Sequence, residues 1–365
     1  MLDVNLVSVF FYSFIVGVST VAIGSINKIK RNNIRRVAYI FLSLFLALIA
    51  GYRDTTGTDS LMYKNLYLYK NVTRWVDIES GYMWLNDFFS KYISYKLFWT
   101  LLSFIILILI LLSIDEYRKD INMYLSGLIL SSTIYLTSFN ILRQSLAVSI
   151  CMFAIVKFVK DKKVIIPLTL IFIASLIHYS ALLCLLLFLA KFIEDAKHKK
   201  LYLVILLSIL VFLVFDRTLF GEIVRWITKS SYYEGYIVRQ QSTISSIVKY
   251  FLQFAIIYII AIYNFSNYRY AHGMMSLFVL MLWGYTMTAI GAGVETQVGR
   301  IGLYFSSFEI IVMPFCAQHN IQLSSNIVLD KDILRIILFL FYILSFIYRI
   351  AIRNYGELIP YQPFV

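Results

Sequence analysis

Long apolar runs alternate with short charged segments along the whole chain, and this pattern predicts a bundle of membrane-spanning helices. Each run has roughly 17–25 residues, enough to cross a hydrocarbon core about 30 Å thick. The runs lack the strict alternation of apolar and polar residues that marks barrel strands, so helices must satisfy the backbone within lipid. We therefore predict an all-α, polytopic integral membrane protein with about twelve transmembrane helices in a single domain, residues 1–365.

The predicted spans follow one another without a soluble domain between them. Their approximate bounds are 4–26, 37–52, 97–114, 121–139, two spans forming a hairpin over 140–179, then 180–192, 201–216, 247–264, 273–290, 299–318 and 333–350. Lys and Arg are dense in three short connections, 28–36, 157–163 and 191–200, which fall on one side of this topology. The positive-inside rule makes that side cytoplasmic, so two longer loops near 53–96 and 217–246, and the tail from residue 351, are expected outside.

The hairpin over 140–179 carries two polar residues at matching depths. Arg143 stands at the start of its first helix and His178 near the end of its second, each about fifteen residues from the basic turn between them. At a rise of about 1.5 Å per residue, both return to a similar depth in the membrane. Ionisable residues within or beside apolar helices are costly, so we treat this pair as a functional hypothesis.

Composition and charge add limits to this interpretation. Of the residues, 60% are hydrophobic and only 15% are charged, whereas about a quarter are charged in a soluble domain. The net charge of +13 follows from basic cytoplasmic loops and anionic lipid headgroups, so membrane lipids are implied as partners and nucleic acid is not. Cys151, Cys184 and Cys316 lie inside apolar segments and are interpreted as small buried hydrophobes. The sequence contains no nucleotide-binding glycine loop and no paired-histidine metal motif.

The predicted topology gathers the unusual polar residues at the outer face. They are Arg53, Asp54, Asp59, Tyr63, Glu79, Arg143, Gln144, His178, Glu295 and Arg300. Arginines bind phosphate through a planar fork and stay charged, and a histidine exchanges protons near neutral pH. Carboxylates can accept hydrogen bonds from hydroxyls, and aromatic outer segments suit stacking against sugar rings. Together these groups suggest a phospholipid-linked sugar handled outside the cytoplasm.

Each candidate also has an ordinary structural explanation. Arg53 could be an interfacial anchor that snorkels to headgroups. Asp59 could cap the helix that begins near Ser60, and His178 could be a satisfied interfacial histidine. Glu295 and Arg300 could form a structural ion pair, and most tyrosines could belong to an aromatic belt.

Six segments, in order along nearly the whole chain, resemble the EpsG-like, Wzy-type polysaccharide polymerases. Arg53 to Asp59, RDTTGTD, followed by Tyr63, is similar to that family's R-x-x-x-G-T-D-x-x-x-Y signature. The other five resemble its E-x-G-Y segment, R-Q-x-L-A helix start, A-x-x-x-H-x-S helix end, R-x-x-x-Y-F helix and tail. They begin at Glu79, Arg143, Ala174, Arg300 and Asn354.

The resemblance implies a metal-independent glycosyltransferase with a GT-C-like architecture and no cofactor. Such a polymerase acts at the outer face of the cytoplasmic (inner) membrane, within O-antigen, capsule or exopolysaccharide biosynthesis. It transfers a growing glycan from undecaprenyl diphosphate to a hydroxyl of the next lipid-linked repeat unit. A chain-length regulator and a flippase of the same pathway are the implied protein partners.

Residue roles follow from the same resemblance. Arg143 and Arg53, with Arg300 as a third candidate, would hold the diphosphate, and His178 or Asp59 would orient or deprotonate the acceptor hydroxyl. The remaining four candidates would contact sugar or help to position the arginines; they are Tyr63, Glu79, Gln144 and Glu295. The expected catalytic residues are Arg143, His178 and Asp59, and the expected substrate-binding residues are Arg53, Tyr63, Glu79, Gln144, Glu295 and Arg300.

Three other activities remain open at this point. A glycan ligase would use the same arginines and differ only in its product. A lipid-linked oligosaccharide flippase should carry polar residues along a path through the bilayer midplane. A membrane acyltransferase would place its histidine toward the cytoplasm, whereas His178 is predicted outside. The sugar identity and linkage, for which the loops 53–96 and 217–246 are the expected determinants, are not encoded in any motif we recognise.

Overall fold

The computed structural model shows a bundle of helices, as the apolar runs predict. It describes residues 2–70, 78–189, 254–264, 267–294, 300–322 and 327–363. The first helices are α1 Leu2–Ile26, α2 Asn32–Gly51, α3 Ser60–Tyr69, α4 Ser80–Phe89, α5 Tyr95–Asp115 and α6 Met123–Ile129. They are followed by α7 Leu142–Asp161, α8 Ile165–Ile177, α9 Ala255–Tyr263, α10 Met274–Val294, α11 Leu303–Ser306, α12 Glu309–Cys316 and α13 Lys331–Ile347.

Within the described residues, five helices are long and apolar enough to cross a membrane. They lie at Leu6–Ile26, Asn32–Gly51, Tyr95–Asp115, Leu142–Asp161 and Lys331–Ile352. Three shorter apolar helices lie at Met123–Tyr135, Ile165–Ile177 and Met274–Ala289. These eight segments fall on eight of the predicted spans, and a polytopic membrane protein accounts for them.

Several predicted spans differ from the observed elements. The span expected at 299–318 is broken into α11 and α12, and the span at 180–192 is a 3-10 helix over Tyr179–Leu189. The predicted span at 201–216 and the outer loop 217–246 lie outside the described residues. A two-stranded antiparallel hairpin, β1 Ile321–Gln322 with β2 Val328–Leu329, lies between the predicted spans 299–318 and 333–350, so the chain is not purely α-helical.

Wide π-helical turns extend two of the apolar helices. Leu130–Tyr135 continues α6, and Tyr348–Ile352 continues α13. Side-chain hydroxyls of Ser131 and Ser132 donate to carbonyls one turn earlier in α6, a bonding pattern that bends helices. The first of these turns leads into the segment before α7, and the second leads into the C-terminal segment 354–363.

Helix α7 is central to the bundle. In its most apolar 18 residues, 83% are buried, against 28% in the corresponding stretch of Lys331–Ile352. It packs against α5 on one side and α8 on the other, while α2 lies along α5 and α1 along α6. Arg143, in the first turn of α7, is therefore carried by the most enclosed of the five spanning helices.

The predicted hairpin is present, with a shorter turn than expected. Helix α7 runs to Asp161, so much of the basic stretch 157–163 is helical, and Lys162 takes a left-handed conformation at the helix end. Because α8 begins at Ile165 and ends at Ile177, Arg143 and His178 return to the same end of the bundle. The basic connections 28–36 and 157–163 lie at the other end, where Arg35 forms an ion pair with Asp115 at 2.9 Å. The third predicted basic connection, 191–200, lies outside the described residues.

The C-terminal segment 354–363 returns to the end of the bundle that carries Arg143. Its Gln362 carbonyl accepts from the Asp54 N–H at 2.9 Å, and the Gln362 N–H donates to Thr56 Oγ1 at 2.9 Å. The Tyr361 hydroxyl donates to the Ile49 carbonyl in α2. This segment therefore lies along the loop 53–59, on the same face as the predicted site.

Candidate active site at one end of the helix bundle

A buried ion pair joins α4 to α7 at the centre of this end. Arg143 Nη1 lies 2.7 Å from Glu79 Oε2, and both side chains are less than 10% exposed. Glu79 precedes the first residue of α4, so its carboxylate stands at the helix N-terminus, where negative charge is favourable. An arginine held in this way keeps one orientation, which is what recognition of a fixed anion requires.

The same carboxylate contacts the turn that carries His178. The backbone N–H of Tyr179 donates to Glu79 Oε1 at 3.1 Å, and His178 Nδ1 lies 3.8 Å from that oxygen. Helix α8 ends at Ile177, and His178 adopts an extended conformation, which turns the chain into the following 3-10 helix. Glu79 thus positions both the arginine and the histidine of the hairpin.

His178 is also hydrogen-bonded to a serine that sequence reasoning did not assign to the site. Its Nδ1 lies 2.7 Å from Ser180 Oγ, and Ser180 Oγ donates to the Tyr304 hydroxyl in α11 at 3.2 Å. Burial of the imidazole, together with the positive charges of Arg143 and Arg300, lowers the pKa of His178 well below its ordinary value. At neutral pH the ring is therefore uncharged.

A second, looser pair lies beside the first. Arg300 Nη1 is 3.9 Å from Asp59 Oδ2, with the side chains 36% and 26% exposed. Gln144, the residue after Arg143, donates from Nε2 to the Arg300 carbonyl at 2.7 Å. Gln144 thereby fixes the backbone of Arg300 next to Arg143, while the Arg300 side chain stays open to solvent.

Asp59 occupies the N-cap position of α3, as predicted, but its side chain does not cap the helix. Its carboxylate instead accepts a hydrogen bond from the Thr58 hydroxyl at 3.3 Å and faces Arg300. Tyr63, one turn along α3, is buried against Tyr82 with ring centroids 6.1 Å apart. Tyr82 in turn borders Arg143, whose guanidinium carbon lies 5.9 Å from the ring centroid.

Arg53 lies in a separate, fully enclosed position. Its guanidinium is placed between the rings of Trp99 and Phe139, 4.8 and 4.9 Å from their centroids. It donates to the carbonyls of Ala50 and, at 2.9 Å, Phe139. In this structure Arg53 ties the end of α2 to the segment before α7 and does not join the cluster of Arg143 and Arg300. Its predicted role in diphosphate binding stays a prediction.

Three residues that sequence reasoning did not assign to the site contribute to it. Ser180 and Tyr304 are the final residues of the H-x-S and R-x-x-x-Y patterns, so the motifs themselves held this signal. Asn140 accepts from the Thr58 N–H at 2.8 Å and so contacts the loop that carries Asp59. Glu295, predicted to bind substrate, lies outside the described residues.

A further carboxylate is buried deeper in the bundle. Glu309, at the start of α12, accepts hydrogen bonds from the hydroxyls of Tyr285 and Tyr342, the latter at 3.2 Å. Each tyrosine lies near the middle of its helix, so this group stands well inside the bundle. Among the residues that the structure describes, no group of three or more His, Cys, Asp or Glu side chains could hold a metal ion.

The arrangement can bind an anion and activate a hydroxyl in one place. Arg143 and Arg300 supply two guanidinium groups, and His178 supplies an uncharged imidazole beside them. In a comparison with family models, residues 36–363 match the EpsG family. No curated protein and no solved structure matches the chain.

Proposed function

Because the chain belongs to the EpsG family, which indicates a polysaccharide polymerase, we propose the following reaction. The protein transfers a growing glycan from undecaprenyl diphosphate to the next lipid-linked repeat unit, at the outer face of the cytoplasmic membrane. The observation that carries the proposal is the buried cluster of Arg143, Glu79 and His178 beside the more open Arg300. A GT-C-like architecture and twelve spans belong to the same proposal.

Arg143 is the arginine that would bind the diphosphate in a fixed geometry. Because its partner Glu79 is buried, the Arg143 side chain already has nearly its final orientation before substrate binds. A preorganised cation stabilises the charge that develops on the leaving diphosphate without reorganising during the reaction. Arg143 therefore acts mainly on the transition state.

Arg300 would complete the diphosphate site by exchanging partners. Its pair with Asp59 is long, at 3.9 Å, and both side chains are partly exposed. Such pairs contribute about 0–1 kcal/mol, so a diphosphate bearing more negative charge can displace the carboxylate at little cost. Displacement leaves Asp59 beside the bound substrate, where it can accept a hydrogen bond from a sugar hydroxyl.

His178 is the favoured base for the acceptor hydroxyl. Ser180 Oγ donates to Tyr304, so it accepts a hydrogen bond from His178 Nδ1–H, and Nε2 carries the lone pair. The acceptor oxygen attacks the anomeric carbon as its proton passes to Nε2. The bond between that carbon and the diphosphate oxygen breaks, and the leaving diphosphate is stabilised by Arg143 and Arg300.

A reconstituted assay tests this proposal. The purified protein in nanodiscs receives undecaprenyl-diphosphate repeat units, and the products are separated as a ladder. We expect rungs spaced by one repeat in the native protein and none with Arg143→Ala or His178→Ala, while both variants remain in the membrane. Long products from both variants would overturn the assigned site.

The products also separate the other candidate activities. One transfer to a different acceptor would identify a ligase. Movement of the lipid across a vesicle without transfer would identify a flippase, and Glu309, buried among helices, would then be the first residue to replace. A chain-length regulator and a flippase acting as partners would change the ladder's length distribution without changing its spacing.

A further inference from the structure

The side chain of Asn140 lies between two loops that are distant in sequence. Asn140 precedes α7 and is 5% exposed. Its Oδ1 accepts from the Thr58 N–H at 2.8 Å. A Cβ placed on Gly57 would lie 2.6 Å from that oxygen, and one placed on Gly356 would lie 1.7 Å from its Nδ2. The amide therefore fits only because both neighbours are glycines.

Both glycines also adopt backbone conformations that other residues rarely take. The φ angle is +102° at Gly57 and +73° at Gly356. The two loops are hydrogen-bonded directly as well, since the N–H groups of Gly57 and Thr58 donate to the carbonyls of Glu357 and Gly356, each at 3.2 Å. Loop 53–59 and segment 354–363 thus form one unit around the Asn140 amide.

This unit carries one side of the candidate site, and α7 carries the other. Thr58 is followed by Asp59, which faces Arg300. Asn140 is followed within one turn by Arg143 and Gln144, and Gln144 holds the Arg300 backbone. The Asn140 amide therefore helps to set Asp59 relative to the start of α7, beside the bonds that Arg53 and Ser60 donate to the Phe139 carbonyl.

We propose that Asn140 is a positioning residue for glycosyl transfer, which places Asp59 beside Arg300, with Gly356 of the C-terminal segment holding the amide in place. The inference rests on the proposed function, because it assigns Asn140 to the same site. It adds Asn140 to the site, together with the segment 354–363 some 200 positions away. Neither contacts substrate in the proposed mechanism.

Matched substitutions at position 140 test the role of the acceptor oxygen. Asn140→Asp keeps Oδ1, whereas Asn140→Leu removes it at similar volume. We expect Asn140→Leu to lower kcat on the order of 100-fold with a nearly unchanged KM, since a misplacement of about 1 Å can cost that much. Asn140→Asp should retain most of the activity. Asn264→Leu is the control, because Asn264 is also buried and its amide bonds locally, at the other end of the bundle.

A double-mutant cycle separates positioning from general stability. If Asn140 acts through Asp59, Asn140→Leu with Asp59→Asn should be no slower than the slower single variant. A purely structural role would multiply the two losses. Gly356→Ala should reproduce the kcat loss of Asn140→Leu from the opposite side of the amide. The inference would be overturned by an unchanged kcat in both Asn140→Leu and Gly356→Ala. Multiplied losses in the double variant of Asn140 and Asp59 would overturn it as well.

Hydrogen exchange supplies a readout that does not depend on polymerisation. Asn140→Leu and Gly356→Ala should speed exchange in residues 54–59 and 354–363 together, and Asn264→Leu should not. If the native protein makes no ladder but this coupling is found, the proposed function fails and the link through Asn140 holds. If ladders form and the two segments exchange independently of position 140, the link fails and the proposed function holds.

Discussion

At the scale of single residues, Glu79 has a more specific environment than the sequence could reveal. The sequence suggested contact with sugar or help in positioning the arginines, and the structure gives it contacts with Arg143 and the Tyr179 backbone. A motif identifies which residue types recur, but only the fold reveals that α4 meets both helices of the hairpin. Arg53 makes the same point, because nothing in its sequence neighbourhood predicts the enclosing rings of Trp99 and Phe139.

The Glu79–Arg143 pair should separate stability from activity. Glu79→Ala leaves the buried Arg143 without a counter-charge, which costs about 3–5 kcal/mol in typical proteins. We expect a clear fall in the thermal unfolding midpoint of the purified protein. The double variant Glu79→Gln with Arg143→Met should recover much of that midpoint while making no polymer. Recovery of polymer in the double variant would show that the pair is only structural.

The pH profile should report the environment of His178. Its lowered pKa keeps the ring uncharged, so the acidic limb of the kcat profile should lie below about pH 6.5, the ordinary histidine value. Protonation disfavours the folded site, so the stability that this group contributes is present above that pH and is lost as pH falls. Arg300→Gln removes one of the lowering charges and should shift the limb to higher pH. An unshifted limb would argue against His178 as the base.

At the scale of elements, the site depends on how closely α4 crosses α8. A Cβ placed on Gly81 would lie 2.4 Å from the Leu176 carbonyl oxygen, so only glycine permits this approach. The crossing brings Glu79 onto the turn after α8. Helix α4 lies within the predicted outer loop 53–96, and the sequence of that loop cannot give the helix's contact partner.

Gly81→Ala should push α4 away from α8 and weaken the contacts of Glu79 with Arg143 and Tyr179. We expect a large loss of polymer with the protein still inserted in the membrane. Gly17→Ala, in α1, is the matched control, because a Cβ there would have no atom within 4 Å. Alanine is the better helix former by about 0.5–1 kcal/mol, so this control should be neutral or slightly stabilising. Equal effects of the two substitutions would contradict the role of the crossing.

Element boundaries were less predictable than the elements themselves. Apolar length predicts that a helix crosses the bilayer, and eight predicted spans coincide with apolar helices. The break between α11 and α12 is at Ser307 and Phe308, inside the predicted span 299–318. Ser306, Ser307 and Glu309 interrupt the apolar run there, but a few polar residues do not fix where a helix breaks. The β1–β2 hairpin falls in a loop too short for any strand periodicity to be read.

At the scale of the whole molecule, the clustering of polar residues at one end could be predicted more reliably than the bounds of the individual spans. Two residues lie at the same end of the bundle when an even number of membrane crossings separates them. Small errors in the bounds of the spans do not change that number, so they do not change the predicted clustering. The structure brings the described candidates to one end and the basic connections 28–36 and 157–163 to the other. Which end faces outward depends on charge bias rather than on contacts, so it remains a prediction.

Cysteine labelling tests that orientation. In a variant without the three native cysteines, Lys91→Cys lies at the site end and Lys163→Cys at the other, and both positions are exposed. A membrane-impermeant maleimide should label position 91 in intact cells, and position 163 only after the membrane is opened. The reverse pattern would place the site in the cytoplasm and exclude the proposed outer-face reaction.

The pairing of segment 354–363 with loop 53–59 has a consequence for biosynthesis. Loop 53–59 leaves the ribosome some 300 residues before the partner that completes its hydrogen bonds. Early helices can enter the membrane in order, yet the loop that carries Asp59 takes its final form only after residue 363 has been synthesised. A nascent or prematurely terminated chain would therefore sit in the bilayer without the loop conformation that the proposed site requires.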